Sequence, residues 1–467
     1  MTLVRRTRAL RGALAVVVFP LLPAPARAGS AEPPPAEPAA TCLADGQVED
    51  VLIHGGAVYL AGRFEKVRPP GEVIGGPGEV TRRWFAACDL ATGAVLPWNP
   101  AADCLAPASC VNVRGQTLAL AADGASLYLG GKFSHVGGAA RRNAARVAIP
   151  GAALLSWNPT PDDRVQRIAV APDGARVYLA GNFSAAGGCA PAPCHARLAA
   201  TDPASGAVVA AFDPQIAADG GGFSTVHALA FSDDGATVFL GGQFDTVNGV
   251  ARDSAAAIDA ATGTQTTSFA PRLSDENPAD PEVQVYDLQV ADGWVYLCGD
   301  WWATADLGGE HDQRNVNRFD PANGNHDPDF WISTDGGVQA CAIDVGTGML
   351  FVGGHFDCVR EWIDATTPVD PSAEQCGADP LFVGTWQRDL FALSLADGAL
   401  IDWNPDTSGG PGIWAAAATA DWLVVGGEVG WPRQGTATHQ NLLRFDLRPF
   451  ADDFETGDLG RWSAVVF

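Results

Sequence analysis

A phrase close to Val-Tyr-Leu-Gly-Gly-x-Phe recurs along this chain, and its last glycine falls at Gly62, Gly131, Gly181, Gly242, Gly299, Gly354 and Gly427. The mean spacing of about 61 residues is long for a solenoid and right for propeller blades with generous loops. A period this long means one supersecondary unit per repeat. Such a unit cannot hide its apolar faces alone and must stack on its neighbours.

The fourth copy shows the order within a unit best. Val226 to Phe231 is an apolar run, Asp234-Gly235 a tight turn, and Thr237 to Gly242 a β-branched and aromatic strand. Ala255 to Asp259 follows as a third strand, then the turn Thr262-Gly263, then a fourth strand from Thr266 to Ala270. Short strands joined by Asp-Gly or Thr-Gly are hairpins, because glycine accepts the positive φ that two-residue turns require. The fourth strand ends in an aromatic followed shortly by proline, as in Trp98-Asn99-Pro100, Trp157-Asn158-Pro159, Phe212-Asp213-Pro214 and Trp403-Asn404-Pro405. These rings read as packing over the blade, with proline ending the pairing. No helical period competes, so the expected fold is all-β: a seven-bladed β-propeller of four-stranded antiparallel blades.

The segment Val247-Asn248-Gly249-Val250-Ala251-Arg252-Asp253-Ser254-Ala255-Ala256-Ala257-Ile258-Asp259, with Thr262-Gly263 and Phe269-Ala270-Pro271 behind it, resembles the delta-60 repeat of bacterial secreted β-propellers. Arg142-Asn143, Arg314-Asn315 and Arg388-Asp389 occupy the matching place before their third strands. The resemblance covers roughly residues 46–449 and implies an exported propeller, in a family largely without assigned function. Expected blades are approximately 46–104, 110–163, 164–223, 224–282, 283–336, 337–410 and 411–449. The seventh unit lacks an obvious fourth strand. The tail 450–467 either supplies it, through Thr456-Gly457 and Trp462, or is a fragment of an appended module beginning at Phe454.

The N-terminus pairs Arg5, Arg6, Arg8 and Arg11 with an apolar run from Ala13 to Leu22 and the small-residue site Ala26-Arg27-Ala28. Residues 1–28 therefore read as a secretory signal, and 29–45, rich in proline and alanine, as a disordered leader. The apolar run is shorter than a bilayer span needs, so the chain reads as not membrane-spanning. The expected location is secreted, or the bacterial cell surface or periplasm. Formal charge is −25, and with only two lysines and no basic stripe, nucleic acid is excluded as a partner.

Ten cysteines in an exported chain point to disulfides. Close spacing nominates Cys104–Cys110, Cys189–Cys194 and Cys358–Cys376; the remaining four allow Cys42–Cys88 and Cys298–Cys341. Buried free thiols are the alternative for Cys298 and Cys341, which lie in apolar strands.

Tight turns all join first to second and third to fourth strands, which share one face of a blade. The long segments, 66–82, 185–195, 301–313 and 358–386 among them, all belong to the other face. Recognition is expected on that face, for a glycan or a protein ligand. Trp301, Trp302, His311, Asp312 and Trp362 are the candidate contacts, as aromatic platforms beside carboxylates. No nucleophile with a base, metal-ligand cluster or phosphate cradle is visible by spacing. The sequence thus favours a monomeric binding or scaffold module without a cofactor, its acidity compatible with weak calcium binding. An exported polysaccharide hydrolase or lyase with carboxylates at the axis, and an envelope structural protein, are the alternatives.

Overall fold

The computed structural model describes residues 33–448, apart from 106–109, 189–193, 219–221, 267, 275–282, 307–308, 312–313, 331, 362–383, 406, 408–410 and 430–440. The expected signal at 1–28 and the tail 450–467 lie outside the described residues, which contain strands and no helix.

Each repeat folds into a three-stranded antiparallel sheet with an inner, a middle and a third strand. In the first unit these are Val48–His54, Ala57–Gly62 and Phe85–Asp89. The inner strands of the six further sheets are Arg114–Leu120, Val165–Val170, Thr225–Phe231, Gln284–Ala291, Val338–Asp344 and Gly412–Ala418. Seven apolar clusters fill the spaces between successive sheets. The last of them packs Ala415, Val424 and Leu442 of the seventh sheet against Val48, Val51 and Val58 of the first. Every sheet face is thereby covered by a neighbour and the row closes on itself, which is the arrangement of a β-propeller.

Two details correct the expectation of four full strands per blade. The outermost strand is reduced to one bridge, as in Cys88↔Val95, Val147↔Leu154, Ile258↔Gln265 and Leu393↔Leu400. Its aromatic residue nevertheless does the packing foreseen for it. Trp98, Trp157, Phe212, Phe269, Phe330 and Trp403 are buried. Each meets the ring of a middle strand edge-on, Tyr59, Tyr128, Tyr178, Phe239, Tyr296 and Phe351 in turn, with centroids 4.8–5.8 Å apart.

The second detail concerns closure. In the earlier sheets the outermost N–H donates to the carbonyl of the third residue of the third strand, as Leu96 does to Ala87 and Ile401 to Ala392. In the seventh sheet the donor is the Ala39 N–H, 2.7 Å from the Arg444 carbonyl. The Trp403 indole N–H donates to the Pro35 carbonyl, and the Asn441 amide to that of Ala44. Residues 33–45 are therefore not a disordered leader. They take the place for which the C-terminal tail was the sequence candidate, and Cys42–Cys88 fastens them to the first sheet.

Cys104–Cys110 and Cys298–Cys341 are also bonded, the latter joining the fifth sheet to the sixth. Free thiols at Cys298 and Cys341 are thus set aside. Cys194 and Cys358 are disulfide-bonded too, while the expected partners Cys189 and Cys376 lie outside the described residues.

Candidate axial binding site

The repeat glycine accounts for the geometry of the axis. A Cβ at Gly62, Gly131, Gly181, Gly242, Gly299, Gly354 or Gly427 would collide with a backbone carbonyl at the start of the facing inner strand. That close approach marks a β-bulge, one in each of the seven sheets. The pairing runs from Val48↔Gly62 to Asp50↔Ala61, for example, and skips Glu49. The skipped residues in chain order are Glu49, Gln116, Gln166, His227, Tyr286, Gln339 and Trp414. All seven line one pocket of about 210 Å³, together with Arg63, Arg114, Arg164 and Arg167. A bulge frees one side chain from the alternation of its strand, and here it re-aims seven of them at the axis.

The pocket lies at the end where the inner strands begin, on the elaborated face. That face is more regular than loops: in the first, second, fourth, fifth and sixth units, the segment entering the sheet pairs with a hairpin between middle and third strands. Leu43–Ala44 with Lys66–Arg68, and Arg272–Ser274 with Ala303–Asp306, are two of these accessory sheets.

Glu49 is the one carboxylate among the residues lining the pocket, and it is fully engaged. Its Oε1 accepts from Arg63 Nε at 2.6 Å and Arg114 Nη1 at 3.0 Å, and its Oε2 from Gln116 Nε2 at 3.1 Å. Burial lowers the Arg114 pKa to about 10, Glu49 opposing the shift, and burial likewise lowers that of Arg164. His227 is pushed down to about 3 by burial, with Arg164 and Arg167 adding to the effect, and is a neutral imidazole at physiological pH. Three polar atoms of the pocket lining, His227 Nε2, Gln339 Oε1 and Trp414 Nε1, are buried without a hydrogen-bond partner in the protein, as are ten such atoms elsewhere among the described residues. All three belong to the bulge residues, and buried polar atoms are seldom left unmatched without a reason.

One residue deeper, the inner strands carry Asp50, Thr117, Arg167 and Asp287. The Asp50 carboxylate accepts from the Leu118 N–H, Thr117 Oγ1 from Ile168 and Asp287 from Cys341, each donor lying on the next sheet. This layer satisfies inner-edge N–H groups across the seams. Arg167 donates to Asp287 at 2.9 Å across the axis. Burial raises the Asp50 pKa to about 6 against the pull of Arg167, and raises that of Asp287.

The candidates on the long-loop face separate. Trp301 is 1% exposed and packs between the fourth and fifth sheets, which corrects its reading as an exposed platform. Trp302 is 36% exposed, with the Arg314 guanidinium 3.5 Å from its ring centroid. His311 ends the accessory strand Gly309–His311, and Asp312 and Trp362 lie outside the described residues. The Asp320 turn is a hairpin: its carboxylate accepts from the Ala322 N–H and the Asn323 amide, beside the bridge Phe319↔His326. Among the described residues no group of three His, Cys, Asp or Glu is placed to hold a metal ion, and no helix is long and apolar enough to cross a membrane.

The closed ring and its plugged axis define a β-propeller with an axial pocket. No family model matches the chain, and no curated protein matches it. Among solved structures it is similar to the computationally designed Ika8 protein, at 12% identity over 88% of this chain and 99% of that one, TM-score 0.44. It is similar also to the WD40 β-propeller domain of Doa1 (11% identity, 89% and 97%, TM-score 0.45). A third is the β-propeller domain of Cps50 (Swd1) from Myceliophteria thermophila (9% identity, 87% and 99%, TM-score 0.46).

Proposed function

We propose that this protein is an exported binding module, a seven-bladed propeller of the delta-60 kind with a vestigial fourth strand in each blade, whose ligand enters the axial pocket. The observation that carries this reading is the convergence of the seven bulge residues, of five different types, on one cavity with four arginines. In a chain of formal charge −25, a guanidinium cluster is a local reversal of sign and selects an anionic ligand. The polysaccharide hydrolase reading needs two carboxylates flanking the scissile bond. The pocket lining offers Glu49, already held by two arginines, so binding is the better-supported function. The accessory sheets on this face, with Cys104–Cys110 directly after one of their strands, suit a rim that keeps its shape outside the cell. The long-loop surface around Trp302 is then that rim rather than the primary contact.

The test compares three proteins on an array of glycans and small acids: the intact chain, Trp414→Ala, and a chain with segment 301–313 replaced by a short turn. Loss of signal in Trp414→Ala with retention in the loop replacement is the expected outcome. The opposite pattern returns the site to the loops.

A further inference from the structure

We infer that the axial pocket receives one residue of an acidic sugar, a pyranose ring bearing a single carboxylate. The inference rests on the pocket being the binding site.

Charge sets the first condition. The four arginines in the wall face Glu49 beside them and Asp50 and Asp287 beneath. Among the residues lining the pocket, four guanidinium groups stand against the single carboxylate of Glu49, while Asp287 beneath pairs with Arg167, so the wall favours an anion. Arg63 engages Glu49 through Nε, and its side chain is 47% exposed at the mouth, so its terminal nitrogens can form the bidentate pair that guanidinium makes with carboxylate.

The unmatched atoms set the second condition. Trp414 Nε1 is a donor and Gln339 Oε1 an acceptor. A neutral His227 contributes a ring nitrogen of either kind at Nε2. A ligand that meets all three needs donors as well as acceptors, which hydroxyl groups supply and a bare anion does not. The indole of Trp414 and the tilted rings of His227 and Tyr286, 5.6 Å apart, add flat apolar surface suited to the C–H face of a sugar ring.

Size sets the third. About 210 Å³ is below the roughly 300–1,000 Å³ of pockets that engulf drug-sized ligands, so one ring enters and any attached chain leaves through the mouth.

Titration calorimetry with galacturonic and glucuronic acid oligosaccharides, their carboxyl-reduced counterparts and inorganic phosphate tests this. The expected result is binding of at least one uronic acid series, at least tenfold weaker binding of its reduced form, and competition by phosphate only at far higher concentration. Trp414→Ala and Arg63→Gln should each weaken the uronate by tenfold or more while thermal unfolding stays near that of the parent. Equal binding of the reduced sugars, or tighter binding of phosphate, overturns the acidic-sugar inference; if Trp414→Ala still removes that binding, the pocket reading survives. No binding by either uronic acid series overturns the inference. Uronate binding that Trp414→Ala leaves unchanged overturns the pocket as well.

Discussion

The outer rim and the axis are built from the same repeat and have diverged in opposite ways. At the rim, the outer aromatic is Trp or Phe in six units, followed two residues on by proline in five of them, and is buried against a ring of the middle strand every time. At the axis, the bulge position is filled by Glu, Gln, Gln, His, Tyr, Gln and Trp, although all seven backbones make the same bulge. Packing asks the same of every unit, so the rim stays uniform. A ligand asks something different of each side of a pocket. Uniform positions in a closed repeat therefore report on folding, and divergent positions on a shared backbone report on what is bound.

Two tryptophans put that contrast to the test. Trp157→Ala, at the rim, should cost about 3–5 kcal/mol of stability, the usual loss for a buried Trp, measured by urea unfolding. Trp414→Ala, at the axis, should cost under about 1 kcal/mol while abolishing ligand binding. Comparable destabilisation by both would make the axial residues structural and end the comparison.

Closure offers a second test, with a somewhat smaller expected effect. Deleting residues 33–41 removes the Ala39 bridge and uncovers Trp403, whose indole donates to Pro35. The loss should be about 2–3 kcal/mol, the scale of an exposed large side chain plus a hydrogen bond, with a red shift of tryptophan emission. An unchanged spectrum and melting curve would show that the seventh sheet does not use this segment.

The smallest effect expected is that of pH. Asp50 has a folded pKa of about 6, above its ordinary value of 3.8, so the folded state holds this proton more tightly than the unfolded one. Its contribution to stability should rise as pH falls from 6 towards 4, by about 1–2 kcal/mol, and be flat above 6. Protonation also removes a negative charge beneath the pocket, so uronate affinity should grow a few-fold between pH 7.5 and 5. His227, with a pKa near 3, stays neutral throughout. Asp50→Asn should flatten the affinity profile and remove only part of the stability slope, because burial also raises Asp389 to about 7 and contributes in the same direction; an affinity slope that persists in this variant assigns that effect to another group.

Much of the rim was legible from sequence, because turns, strand composition and the aromatic-proline ending are local signals. The axis was not, since inner strands such as Val226 to Phe231 read simply as apolar runs. The signal that could have exposed it was the repeat glycine. Counting back thirteen residues from Gly62 reaches Glu49, and fifteen from Gly131 reaches Gln116, with one of these two offsets holding in every unit. Closure was illegible for a different reason: Pro35 and Ala39 gain their role from Trp403 and Arg444, at the far end of the chain, and nothing in their local composition announces it. The Trp301-Trp302 pair misled because these two residues link the strand ending at Asp300 to the one beginning at Ala303 and face opposite ways, one to the core and one to solvent.

A crystal structure of the intact protein soaked with a uronic acid oligosaccharide would address the central claim most directly. The account places one sugar ring in the axial pocket, its carboxylate within hydrogen-bond distance of an arginine and a hydroxyl within reach of Gln339 or Trp414. A sugar seated instead beside Trp302, with the axis unoccupied, would contradict it.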